Sequence, residues 1–322
     1  MPMDKAIRDF PKQFTWQPEV VNAEKLGKYK KFIICGMGGS HLAGDIIKAV
    51  KPELDITIYS DYGLPAWPKE RFEGALVIAS SYSGNTEETI SAFEAARLAG
   101  ISLAAISIGG KLLDLALDYR VPFVQMPDTG IQPRSALGFS LRSILALMSD
   151  LRALKDTSEL ANLLNAEKYE VEGKEFAAEL KNKIPVIYSS TKNFPIAYNW
   201  KIKFNESGKV PAFYNVFPEL NHNEMVSFDV NEATRPLSKN LHFIIICDPA
   251  DNPRVLKRME VMAKLYHDRG LSVSTLILED GDAFYKIFSS LLLADWVSYY
   301  TSLGYGMEPE EVALIEEFKG LL

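Results

Sequence analysis

The sequence predicts an α/β protein with mainly parallel sheets, arranged as two half-length units. Three observations carry that reading. Short apolar runs alternate with helical patterns, two of those runs lead directly into glycine- or hydroxyl-rich turns, and a polar, helix-prone stretch separates two halves built on the same logic. Alternation of this kind implies parallel strands joined by right-handed crossovers. In the first half the expected strands are 32–35, 56–59, 76–79, 103–106 and 122–125, with helical patterns at 42–50, 86–98 and 112–117 and a long closing helix at 135–154. The segment 155–172 reads as the connector, so the units are expected at 1–154 and 155–322. The second half gives strands at 186–189, 243–247 and 273–277 and helices at 195–204, 254–269, 283–303 and 308–321. Between its first two strands lies a long irregular stretch, 208–240, which is functional rather than disordered because Phe213, Tyr214, Phe217, Met225 and Phe228 make it too apolar for disorder. The two halves imply duplication, although identity between them is faint.

At 322 residues the chain is long enough for two domains of ordinary size. The formal net charge of −7, with no basic stripe, argues against nucleic acid as a partner. A small anionic substrate stays open, since the local field of a site can oppose the global charge. Cys35 and Cys247 both end apolar runs and read as buried, reduced thiols, in keeping with a cytoplasmic setting. No membrane partner is expected. The N-terminal Met1-Pro2-Met3-Asp4-Lys5 has no apolar signal core, and the longest apolar run, Leu291-Leu292-Leu293-Ala294, is interrupted by Asp295.

The most informative stretch is Ala79-Ser80-Ser81-Tyr82-Ser83-Gly84-Asn85-Thr86-Glu87-Glu88-Thr89. It places the hydroxyls of Ser80, Ser81, Ser83 and Thr86 and a glycine at a strand-to-helix turn, where backbone N–H groups meet the positive end of a helix dipole. Phosphate is the natural guest. The stretch lacks the lysine of a nucleotide-binding P-loop, so the phosphate would be held by neutral donors. A second turn, Gly36-Met37-Gly38-Gly39-Ser40-His41, follows the first strand. His41 stands where a dinucleotide fingerprint needs its third glycine, and Asp61 lies past the end of the second strand, so a nicotinamide or flavin has little support. Either the backbone comes close to a ligand here, with Ser40 as a further donor, or the turn serves tight strand–helix packing. In an open parallel sheet, ligands bind at the carboxyl ends of strands near a topological switch, so both turns can face one crevice. The four histidines lie far apart without metal-ligand spacing. Of these, His41 reads as a packed or solvent-exposed residue, His242 as the start of a strand and His267 as part of a charged helix face.

Taken together, Gly36-Met37-Gly38-Gly39-Ser40 and Ser81-Tyr82-Ser83-Gly84-Asn85-Thr86 resemble the phosphate-binding turns of the sugar-isomerase (SIS) domain. Pro133-Arg134-Ser135-Ala136-Leu137-Gly138, Asn205-Glu206 and Asn221-His222-Asn223-Glu224 narrow the resemblance to the bifunctional phosphoglucose/phosphomannose isomerases, over about residues 32–297. That resemblance implies two SIS-type α/β/α sandwiches. Gly38, Gly39, Ser40, Ser81, Ser83 and Thr86 would hold the phosphate of a phosphorylated hexose. Glu206 would carry a proton between C2 and C1 through a cis-enediol, His222 would help open the ring, and Arg134 would stabilise the enediolate. The resemblance further implies a homodimer in which His222 reaches across the interface, and no metal or organic cofactor. The family's C-terminal lysine corresponds best to Lys319. The preceding turn departs from the family pattern, with Glu310 in Met307-Glu308-Pro309-Glu310-Glu311 standing where a threonine linked to the mannose epimer is usual.

The residue types suit the chemistry. Aldose–ketose isomerisation needs one base that accepts and returns a proton, a cation where enediolate charge develops, and a group that titrates near neutral pH for ring opening. The phosphate supplies remote binding energy that orients the reacting end. Each residue also has a plainer reading: Glu206 as a surface acid, His222 as a turn residue, Arg134 as an ion-pair partner. A non-catalytic phosphosugar sensor would need only the hydroxyl turn, and an isomerase of another phosphosugar would share most of the set.

Overall fold

Every strand expected in the first half is present in the computed structural model, which describes residues 1–321. β1 (Lys31–Cys35), β2 (Asp55–Tyr59), β3 (Ala75–Ser80), β4 (Ser102–Ser107) and β5 (Phe123–Gln125) form one sheet in the order β2-β1-β3-β4-β5, with all pairs parallel. β3 is buried along its whole length. Both of its faces are therefore covered, which is why Ala75–Ser80 reads as an unbroken apolar run rather than an alternation. Ile33, Val77 and Ala105 from the sheet pack with Phe93 and Leu112 from the flanking helices.

The expected helix over 135–154 is two helices, Leu137–Leu147 and Leu151–Ser158. Ser149 takes a left-handed conformation (φ 57°), and the Asp150 carboxylate accepts from the Ala153 N–H to cap the second helix. A continuous helical pattern hid a cap that a short polar pair supplies. Arg142 locks the corner. Fully buried, it donates to the carbonyls of Trp16 (2.5 Å) and Leu154 (3.0 Å), to Thr157 Oγ1 (3.2 Å) and to Gln17 Oε1 (3.1 Å). The chain divides into two compact units, one of Met1 with Arg8–Leu164, the other of Pro2–Ile7 with the segment from Asn165 onward. The division falls after Leu164 because Leu160 and Leu164 are buried in the first unit, so residues 155–164 are packed structure there and not a free connector.

The second unit holds β6 (Ile184–Ser190), β7 (Phe213–Phe217), β8 (Leu241–Cys247) and β9 (Ser272–Ile277) in the order β7-β6-β8-β9, again all parallel. β7 lies inside the stretch expected to be irregular. It is an edge strand, half exposed and bounded by Pro211 and Pro218, so its sequence lacks the apolar run of a central strand. The rest of that stretch folds onto the unit: Phe228 packs edge-on against Phe243 and Tyr266, with ring centroids 4.8 and 5.6 Å apart. Two further differences are the added helix Glu170–Glu179 and the shorter final helix, Ala313–Gly320. The 22-residue helix Ala283–Gly304 runs through the core, with Trp296 Nε1 donating to the Ala166 carbonyl at 2.7 Å. Among the described residues no helix is long and apolar enough to cross a membrane.

One buried group makes this unit acid-sensitive. His242, 4% exposed, sits between the hydroxyls of Ser272 (2.8 Å) and Ser274 (3.0 Å). Burial, with a contribution from Lys183, pushes its imidazole down to about 4. An unfolded histidine titrates near 6.5, so between those values the unfolded chain holds a proton the folded chain does not. Stability therefore falls as pH drops from about 6.5 towards 4. Urea unfolding at pH 7, 6 and 5 is expected to show this decline, and His242→Gln to flatten it; equal slopes for the two proteins would refute the assignment.

Candidate active site

In the first sheet the chain passes from β1 outward to β2, then crosses to β3 on the other side of β1. The topological switch thus lies between β1 and β3, at the carboxyl ends that carry the two turns singled out in the sequence. The turns are tied together. Ser80 Oγ donates to the Ser40 carbonyl (2.9 Å), and Ser40 Oγ accepts from the Tyr82 N–H (3.0 Å). Gly38 adopts φ 49° at the start of helix Gly39–Val50. Ser81, fully buried, shares a hydrogen bond with Thr86 Oγ1 (2.8 Å) and accepts from the Gly84 N–H (3.0 Å), so it shapes the turn from within. Ser83 is exposed and Thr86 half-buried at the N-terminus of helix Glu87–Leu98. Burial pushes the Tyr82 phenol up to about 12, with Asp128 adding to it, so the ring stays neutral.

Gly84 is forced. Its φ is +75°, and a Cβ there would lie 1.8 Å from the Gly109 carbonyl oxygen. The close approach packs the turn after β3 against the turn after β4, where Leu112 N–H donates to the Gly84 carbonyl (2.8 Å). Arg134, 5% exposed, lies in the short 3₁₀ turn Pro133–Ser135. That turn abuts the glycine turn: a Cβ on Gly39 would be 3.1 Å from the Arg134 nitrogen. Arg134, Ser40 and the hydroxyl turn are therefore gathered in one unit.

What holds the arginine turn has no local signature. Gln13, from the N-terminal segment, donates to the Ser135 carbonyl (2.7 Å) and accepts from the N–H groups of Gly138 (2.9 Å) and Phe139 (3.3 Å). It caps the helix Leu137–Leu147 from more than a hundred residues away, a contact with no local pattern to reveal it. His41 takes the packed role of its two expected ones. It is buried and paired with Asp45 (2.8 Å) one helical turn on.

The second unit carries the remaining residues. Glu206 is the last residue of helix Phe194–Glu206 and is half-buried. The end of that helix is anchored by the buried pair Lys203–Asp295 (2.5 Å), and Lys209 Nζ donates to the Glu206 carbonyl (2.6 Å). The position is a poor one for a negative charge next to a helix C-terminus, which a stability-driven sequence would avoid. His222 is exposed on the single turn Leu220–Asn223. Lys319, on the final helix, is exposed and paired with Glu316 (2.8 Å).

The second sheet has its own switch point, between β6 and β8. There the protein supplies its own anion. Asp248 receives Lys286 (2.9 Å), Lys192 (3.2 Å) and the Ala250 N–H (3.0 Å). Burial works to raise its carboxyl, but those donors outweigh it and hold it at about 2. Among the described residues no group of three or more His, Cys, Asp or Glu could hold a metal ion.

Parallel sheets with a hydroxyl-rich switch-point turn define the SIS class of phosphosugar-handling folds. The model for the bacterial phospho-glucose isomerase C-terminal SIS domain matches residues 170–322. The fold is shared with tagatose-6-phosphate ketose/aldose isomerase from Escherichia coli, at a TM-score of 0.71 and 18% identity over 96% of this chain and 94% of that one. Sequence relatives are nearer. A bifunctional phosphoglucose/phosphomannose isomerase of Aquifex aeolicus (strain VF5) is 34% identical over 98% of this chain and 96% of its own. One of Thermoplasma volcanium is 35% identical over 92% of each. The chain belongs to the family of bifunctional phosphoglucose/phosphomannose isomerases.

Proposed function

We propose that this protein interconverts glucose 6-phosphate and fructose 6-phosphate, with mannose 6-phosphate as a second aldose. The observation that carries the reading is the β1/β3 switch point. Its two turns are locked by Ser40 and Ser80, and the arginine turn lies directly against Gly39. Neutral donors at a helix N-terminus suit the phosphate, with Ser83 and Thr86 as its side-chain contacts and Ser81 as the residue that holds their turn. The buried Arg134 guanidinium suits charge that develops on the enediolate. Glu206 is the base that moves the proton between C2 and C1, and His222 assists ring opening. The exposure of His222 favours its donation to the site of a second protomer, so the working unit is a homodimer. The enzyme acts in the cytoplasm and needs no metal.

The test is a dehydrogenase-coupled assay with chelator present, run on fructose 6-phosphate and mannose 6-phosphate side by side. Turnover is expected with kcat/KM on the order of 10⁴ M⁻¹s⁻¹ or above, within the ordinary range for enzymes. Mannose 6-phosphate is expected to be the slower aldose, since Glu310 brings negative charge where the family has threonine. Thermal stabilisation by phosphosugar without turnover would instead mark a binding module.

A further inference from the structure

Glu224 sits two residues from His222, and its carboxylate points into the protein. Both oxygens are taken: Oε1 accepts from the Tyr188 hydroxyl and Oε2 from the Asn215 amide. These two donors are register partners on adjacent strands β6 and β7, so they stand side by side on one face of the sheet. Tyr188 is fully buried, and burial, with Tyr266 and Glu224 nearby, pushes its phenol far above the ordinary range. It is therefore a donor at any working pH. The other polar contacts of the turn are weaker or internal to it. Asn223 bonds Glu219 (2.7 Å), while Asn221 reaches only the sulfurs of Met225 and Met262 (3.7 Å) and Arg258 (3.4 Å). Leu220 is buried beneath.

We propose that Glu224 is a positioning residue that clamps the His222 turn onto the second sheet through Tyr188 and Asn215, fixing where the imidazole is presented. The inference rests on the reading of His222 as the ring-opening group. A carboxylate gripped by two donors fixes both the distance and the rotation of the segment, because charge-assisted bonds are shorter and stronger than neutral ones. Tyr188 and Asn215 have no contact with His222 among the described hydrogen bonds, so they act through Glu224.

The experiment is a double-mutant cycle in the coupled assay, with urea unfolding measured in parallel. Glu224→Ala is expected to lower kcat by about 10- to 100-fold, the scale of an ångström-sized misplacement, with KM changed less than about twofold. Glu224→Gln, which keeps one acceptor for Tyr188 and loses the Asn215 bond, and Tyr188→Phe, which keeps the packing, are expected to lose kcat to a smaller extent while remaining folded. In a His222→Ala background, Glu224→Ala is expected to have no further effect. Additive losses, or unchanged kcat in the Glu224 variants, would overturn the inference while leaving the role of His222 standing. Wild-type turnover in His222→Ala would overturn that role and the inference with it.

Discussion

Glu206→Gln is expected to lower kcat by about 10³-fold or more, roughly 4 kcal/mol of barrier, while leaving phosphosugar affinity nearly unchanged. The substitution keeps the shape of the side chain and removes only its ability to take up a proton. The helix that ends at Glu206 is held elsewhere, by the Lys203–Asp295 pair and by Trp200 Nε1 on Ser290 Oγ (3.0 Å), so its position survives the change. On the proposed reading Ser83 and Thr86 hold the phosphate, and the substitution leaves them untouched. Single-turnover kinetics, exchange of the substrate C2 proton with solvent and thermal shift with fructose 6-phosphate together separate chemistry from binding. Retained exchange in the variant would remove Glu206 from the role of base, whereas loss of binding would make it a structural residue.

Gly84→Ala is expected to cost about 3 kcal/mol or more in stability of the first unit and to raise KM at least tenfold. A left-handed residue with a Cβ contributes roughly 1 kcal/mol of strain. The larger effect is steric. A methyl group 1.8 Å from the Gly109 carbonyl oxygen cannot be relieved by rotating a side chain, so one of the two turns must move. Either movement disturbs the Ser81 hydroxyl, which accepts from the Gly84 N–H, and with it Thr86. Gly100→Ala is the control: its φ is +66° but nothing lies within 4 Å, so only the conformational strain of about 1 kcal/mol is expected. Urea unfolding and the KM for fructose 6-phosphate distinguish the two. Equal effects at Gly84 and Gly100 would mean that the close approach is unimportant.

Most central strands were legible because a strand covered on both faces has no reason to alternate; 75–79 and 243–247 are plain apolar runs. β7 was not legible, because an edge strand between two prolines with Asn215 at its middle carries neither signal. β7 brings Asn215 beside Tyr188, the pair on which the proposed clamp rests. The break at Ser149 is hidden for a related reason: a cap of two polar residues leaves no mark inside a long helical pattern.

By itself the sequence determined the fold class, the two phosphate-type turns and the candidate residues for the reaction, because each is encoded by neighbours along the chain. Hydroxyls, glycines and helix starts act locally, over a handful of positions. The tertiary structure alone decided which of those residues share a face. It set the β1/β3 switch point that aligns Ser40 with Tyr82, laid the Arg134 turn on Gly39 and placed Gln13 as a distant cap. It also filled the second switch point with Asp248, which the local sequence gives no reason to expect. The physical reason is one of range: strand order and register are fixed by the burial of whole faces, and no short stretch of chain contains that information.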